Sequence, residues 1–191
     1  MLLMEQKILA EGKVLPGNIL KVGSFLNQSI DTGFLREIGK EIAGLYDGCG
    51  VTKILTIEAS GIAIAVAAGM ELGVNVVFAK KHKSSNVDGQ IYSSVVHSYS
   101  YNTDYHIVVS QDYLRPEDNV LLVDDFLANG KALEGLMDLV SQAGAHLVGV
   151  ATAIEKGFQG GGDGLRARGV RVESLAIIES MGDGTITFRR Q

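Results

Sequence analysis

Between residues 120 and 132 the chain reads VLLVDDFLANGKA, in which four apolar residues end in two acids, Asp124 and Asp125, and a loop of small residues leads into a helical pattern. Open α/β sheets bind ligands at the carboxyl ends of their strands, where this pattern puts the acids. Successive strand side chains point to opposite sides, so at least one carboxylate can face a ligand. Ala128, Asn129 and Gly130 carry little side-chain bulk, so backbone N–H groups at the start of the next helix can converge on a phosphate, and Lys131 adds a positive charge. Acids beside a phosphate cradle would repel its occupant unless they serve hydroxyls or a divalent cation. Their coexistence points to a sugar phosphate, and ribose 5-phosphate fits both halves. A plainer reading, with the acids as solvated turn residues and the loop as a helix entrance, suits an isolated Asp-Asp pair.

A second loop favours the chemical reading. Residues 57–63, IEASGIA, again join a strand to a helix, with Glu58 at the strand end, then Ala59, and Ser60 and Gly61 at the turn. Its amides can hold a second anion, although Ser-Gly before a helix is commonly only an N-cap. The densest positive run is Lys80, Lys81, His82 and Lys83, followed by SSNVDGQ; it reads either as solvated surface or as a lid that excludes water. His97, His106 and His146 lack the spacing of metal ligands.

The elements that must position these loops follow from periodicity. DTGFLREIGKEIAGLY, from Asp31, places Phe34, Leu35, Ile38, Ile42 and Leu45 on one helical stripe, with Asp31 as the cap. Residues 52–57, a helix from Gly61 and residues 74–80 then form one βαβ unit; residues 119–125, a helix from Lys131 ending at Gly144 and residues 145–154 form another. Two such units imply a mostly parallel sheet. IYSSVVHSYS and YHIVVS, around a polar turn at 102–104, read as an antiparallel edge hairpin, and VRVESLAII and TITF as two short strands split at 182–184.

Composition bounds the function. The chain of 191 residues is 46% hydrophobic, enough for one domain with an appended flap. Its net charge of -5 disfavours nucleic acid as the main partner, and the lone Cys49 can form no internal disulfide. Charged residues interrupt the apolar N-terminus, and the apolar stretch 62–70 is too short to cross a bilayer, so a cytoplasmic location is expected.

VLLVDDFLANGKA resembles the phosphoribosyl diphosphate signature of the type I phosphoribosyltransferases. KVGSFLNQSID, TKILTIEASGIA, VVFAKKHKSSN, DDFLANG and IEKGFQ are similar, in order and spacing, to the xanthine-using bacterial members of the purine branch, over essentially the whole chain. The resemblance implies an α/β fold with a mostly parallel central sheet flanked by helices. It implies a hood from segments of about 1–35 and 155–191, and a flexible hairpin lid over about 80–105. It implies that Ala128, Asn129, Gly130, Lys131 and Ala132 bind the 5-phosphate, that Asp124 and Asp125 address the ribose hydroxyls, and that Glu58, Ala59, Ser60 and Gly61 take the diphosphate. Lys81 and Lys83 would reach the leaving group, with Mg2+ entering through the diphosphate and a homodimer as the working form. Leu20, Asn27 and Lys156 match xanthine contacts. Lys156 donates to an oxo group but accepts nothing, which favours an oxo-purine over adenine. Phe126 reads equally as a base-stacking residue and as a core plug.

Three departures stand out. Ala128 occupies a position where the hypoxanthine and guanine enzymes commonly carry an acid, which argues against a dedicated carboxylate base, and Asn129 stands where many members have Thr. Lys131 stands where close relatives are expected to have Gln. The competing expectations are a phosphoribosyltransferase for guanine, hypoxanthine or adenine, and a phosphoribosyl diphosphate sensor that binds DNA. A sensor would carry a further N-terminal winged helix, and fewer than sixty residues precede the first loop.

Overall fold

A computed structural model describes residues 3–82, 90–98, 103–182 and 184–190. Helix α1 (Leu3–Glu11) leads into a two-stranded hairpin, β1 (Lys13–Leu15) and β2 (Ile19–Lys21), and a π-helical turn over Gly23–Asn27. Helix α2 (Thr32–Leu45) begins behind Asp31, whose carboxylate accepts the Phe34 N–H at 3.0 Å. Its buried stripe is Phe34, Ile38 and Ile42, with Leu35 and Leu45 half-buried, and it includes Gly39. A Cβ at Gly39 would lie 2.7 Å from the Ala67 backbone, so this glycine lets α2 cross closely over α3 (Ser60–Leu72).

Eight strands form the main sheet in the order β10-β9-β8-β7-β3-β4-β6-β5. Five neighbouring strands, β9 (Val172–Gly182), β8 (His146–Lys156), β7 (Asn119–Leu127), β3 (Lys53–Ile57) and β4 (Asn75–His82), are parallel. The hairpin of β5 (Ile91–Ser98) and β6 (Thr103–Ser110) forms one antiparallel edge, as its alternation predicts, and β10 (Thr185–Phe188) the other. The central strand β7 is buried on both faces. Leu121 and Val123 of β7 join the core under α1, α2 and α3, whereas Val120 and Leu122 join the core under α4 (Lys131–Gln142). This is why the strand reads as a continuous apolar run.

Three boundaries differ from the sequence reading. Strand β7 does not end at its acids; it continues to Leu127 because β8 runs alongside to Lys156, pairing Phe126 with Ile154 and Leu127 with Glu155. Strand β4 extends through Lys81 and His82, which pair with Ile107 and His106 of β6, so the start of the basic run is strand; Lys83 and residues 84–89 lie outside the described residues. The strand expected over VRVESLAII is an eleven-residue inner member of the sheet, reaching Gly182 beside β10. Residues 99–102 and 183, at the two expected turns, are also outside the described residues.

Candidate functional site

From β3 the chain passes to β4 on one side, and from β7 to β8 and β9 on the other. The boundary between β3 and β7 is therefore the point where the winding reverses, and the loops after these two strands open side by side at their carboxyl ends. Both loops singled out in the sequence lie there, and α/β sheets bind ligands at such a crevice.

The two acids are buried, Asp124 at 5% and Asp125 at 8% exposure. They reach different partners. Asp124 accepts the Asp125 backbone N–H at 2.9 Å, and a Cβ on Gly61 would stand 3.2 Å from its Oδ1. Asp125 receives the Asn27 side-chain amide at 3.4 Å, across 98 residues of sequence. Burial, and then the charge of Asp125, hold the Asp124 carboxyl well above the usual aspartate range, with the Lys81 ammonium acting in the opposite sense. Two neighbouring carboxylates removed from water need donors or a cation to stay ionised together.

The loop after β7 enters α4 through Gly130, which caps the helix with φ +84 and no side-chain cap bond. Only glycine takes that conformation without cost, and with it the first turn of α4 presents its N-terminal dipole toward the loop. Asn129 folds back so that its Oδ1 accepts the Lys131 N–H at 3.1 Å, while the Lys131 ammonium pairs with Glu134 at 2.8 Å. On its far side the loop rests on the start of a short helix, α5 (Gly161–Ala167), where Gly161 N–H donates to the Ala128 carbonyl at 3.1 Å.

The loop after β3 departs from the expected N-cap. Ser60 is the first helical residue, Ala59 precedes it, and no side chain caps the helix. Glu58 instead accepts the Lys81 N–H at 2.6 Å, so its carboxylate ties this loop to β4. The peptide bond between Glu58 and Ala59 is cis. Beneath Gly61 lies the Thr56 hydroxyl, wholly buried and without a hydrogen-bond partner among the described residues. The Lys81 ammonium lies 5.3 Å from the centre of the Tyr105 ring, whose hydroxyl is pushed up by burial and then by the charge of Asp124.

A third group gathers around Lys156. Its ammonium lies 5.9 Å from the centre of the Phe126 ring and donates to the Asn18 carbonyl at 3.2 Å, which brings the β1–β2 turn to the end of β8. Burial lowers its pKa. Phe126 is half-buried against the core, so it packs and presents its ring together. Leu20 is buried in that same core. Thus Asn27 meets Asp125, and Lys156 meets Phe126. Sequence reasoning overlooked Thr56, Tyr105 and Asn18, whose isolated positions carry no pattern.

A groove of about 1040 Å³ lies elsewhere, over β4 and β6, lined by Phe78, Val108 and Tyr113 among others; it includes neither loop. Among the described residues no three His, Cys, Asp or Glu gather as a metal site, and no helix is long and apolar enough to cross a membrane.

Comparison with known proteins agrees with this fold. A family model described as a phosphoribosyl transferase domain matches residues 29–163. Xanthine phosphoribosyltransferase from Oceanobacillus iheyensis is 49% identical over 189 residues, 99% of this chain and 97% of the relative. The enzyme of the same name from Bacillus cytotoxicus is 52% identical over 188 residues, 98% and 95% of the two chains. Among solved structures, adenine phosphoribosyltransferase from Giardia lamblia superposes with a TM-score of 0.77 at 23% identity, covering 93% of this chain and 98% of that one. That from Trypanosoma brucei, in complex with AMP, pyrophosphate and ribose-5-phosphate, gives 0.77 at 22% identity, covering 95% and 82%. At these identities the structures speak for the fold.

Proposed function

The chain belongs to the phosphoribosyltransferase family, and from that premise we propose that it transfers the 5-phosphoribosyl group of phosphoribosyl diphosphate to xanthine, releasing diphosphate and xanthosine 5-monophosphate in purine salvage. The observation that carries the reading is the pairing of two buried acids with a glycine-capped loop at the reversal point of the sheet. In this reading Ala128, Asn129, Gly130, Lys131 and Ala132 hold the 5-phosphate through main-chain N–H groups. Asp124 and Asp125 take the ribose hydroxyls, which would supply the donors these buried carboxylates need. The loop of Glu58, Ala59, Ser60 and Gly61 receives the diphosphate, and Lys81 and Lys83 approach the leaving group. Leu20, Asn27, Phe126 and Lys156 receive the base, with the Lys156 ammonium donating to a purine oxo group.

The C1–oxygen bond to diphosphate breaks, positive charge develops on the ribose, and a purine ring nitrogen forms the new bond as its proton passes to solvent. No protein nucleophile is needed; positioning and charge stabilisation supply the rate. Two carboxylates are too few to hold magnesium alone but suit an ion that brings phosphate oxygens and water with it. Magnesium bound with the diphosphate would neutralise the departing charge. We also place the protein in the cytoplasm and take a homodimer as its working form; exposed Phe78 and Tyr113 along the groove over β4 and β6 offer an apolar face for the second copy.

The test is nucleotide formation from phosphoribosyl diphosphate and magnesium with xanthine, guanine, hypoxanthine and adenine in turn. Xanthine should give the highest kcat/KM. Faster turnover of adenine would overturn the choice of base, and no product with any base would favour a sensor.

A further inference from the structure

Outside the residues just assigned, the most completely buried charge in the described chain is Glu155, with no exposed surface at all. Both its oxygens are occupied. Arg166 reaches Oε1 through Nη1 at 2.9 Å and Oε2 through Nη2 at 2.7 Å. Ser174 donates its hydroxyl to Oε2 at 2.6 Å, and that hydroxyl shares a further bond of 3.0 Å with Thr152. A buried ion pair is weak evidence for stability, because desolvating both ions cancels much of their attraction. Its location points to another role.

Arg166 lies on α5, and its Nε also donates to the Val172 carbonyl at 3.3 Å, so the guanidinium fastens the helix to β8 and β9 together. The first residues of α5 fill the gap between that pair and the loop after β7. A Cβ on Gly162 would collide with the Glu155 carboxylate, and one on Gly161 would lie 2.6 Å from both Asn129 C and Gly130 N. The glycine run 160–162 thus transmits the position of Glu155 to the loop with almost no slack. The contact also has a direction. Gly161 N–H takes the Ala128 carbonyl at 3.1 Å, and across a trans peptide the carbonyl and the following N–H point opposite ways. Anchoring that carbonyl on α5 therefore turns the Asn129 N–H away from α5, toward the open side of the loop.

We propose that Glu155 and Arg166 are positioning residues for phosphoribosyl diphosphate: through Gly161 they aim the Asn129 amide into the 5-phosphate cradle. The proposal rests on the phosphate-binding role given above to the loop of residues 128–132.

The test is Arg166→Met, which keeps an apolar stem but leaves Glu155 without its fork. Its KM for phosphoribosyl diphosphate should rise roughly ten- to a hundredfold, the order of loss expected when a binding group is displaced by about 1 Å. Calorimetric binding of ribose 5-phosphate should weaken by the same factor, and KM for xanthine should change little. Millimolar guanidinium should restore the phosphoribosyl diphosphate KM of the variant and leave the wild type unaltered, a response that general loss of stability cannot produce. If Arg166→Met does not fold, Arg166→Lys, which keeps the charge but loses the fork, must show the same split to a smaller degree. A lowered Tm with unchanged KM for phosphoribosyl diphosphate, or equal rises in both KM values, overturns the proposal. Wild-type protein that binds ribose 5-phosphate but makes no nucleotide from xanthine corrects the base and leaves the positioning role standing; wild type that does not bind ribose 5-phosphate ends both.

Discussion

Replacing Asp124 by Asn should make the ligand-free protein more stable while removing its activity. The carboxyl is buried, held well above the usual aspartate range first by burial and then by Asp125, and only partly relieved by the Asp125 N–H and the Lys81 charge. A carboxyl whose pKa rises on folding contributes stability that is complete below the unfolded value, near pH 4, and that is lost as pH rises through the folded pKa. At neutral pH the wild-type side chain therefore works against folding, either as a desolvated charge or by retaining a proton that the unfolded chain would release. Asn has nearly the same shape, is neutral throughout, and keeps an oxygen for the N–H bond of 2.9 Å. Relief of one such group is worth about 1–2 kcal/mol, or roughly 2–8 °C in Tm for a chain of this length. Thermal denaturation at pH 4, 6 and 8 checks it: the two proteins should melt together at pH 4 and separate progressively toward pH 8, with the variant higher. Nucleotide formation should fall by about a hundredfold or more, since the ribose contact proposed for Asp124 is lost at the reacting sugar. A gap that does not change with pH, or a wild type that is the more stable at pH 8, refutes the reasoning.

Gly61→Ala would drive a Cβ against the Thr56 hydroxyl and to 3.2 Å from Asp124 Oδ1; overpacking of this kind costs about 1–3 kcal/mol, and steady-state kinetics should show a raised KM for phosphoribosyl diphosphate. Lys156→Met removes a donor proposed for the base, so kcat/KM for xanthine should fall roughly ten- to a hundredfold, with little change in the KM of the other substrate. Because burial favours the neutral amine, wild-type activity should decline as pH rises through a value below the ordinary lysine pKa of 10.5, and the pH profile of the Met variant should lack that step. Tyr46→Phe deletes a buried hydroxyl that donates to the Val150 carbonyl at 2.8 Å; denaturant titration should report a loss of about 0.5–1.5 kcal/mol with unaltered kinetics.

The sequence by itself determined the parallel sheet, the edge hairpin and the two loops, because each is written in a contiguous pattern. The apolar run 120–123 reads as a strand buried on both faces, and the stripe from Phe34 to Leu45 as a helix, and both form as read. Small residues between a strand and a helix mark the two strand-to-helix turns without knowledge of anything distant. Tertiary structure decided what depends on a neighbour in space. Strand β7 runs past its acids because β8 continues beside it, and Lys81 is a strand residue because β6 pairs with it. Glu58 turned out to hold the Lys81 N–H, a partner 23 residues away. The Asn27 contact with Asp125, the Asn18 contact with Lys156 and the fork of Arg166 on Glu155 likewise join elements whose local propensities say nothing of one another. Propensity and periodicity act over a few residues, whereas the burial that shifts Asp124 and isolates Thr56 exists only once separate segments have closed over them.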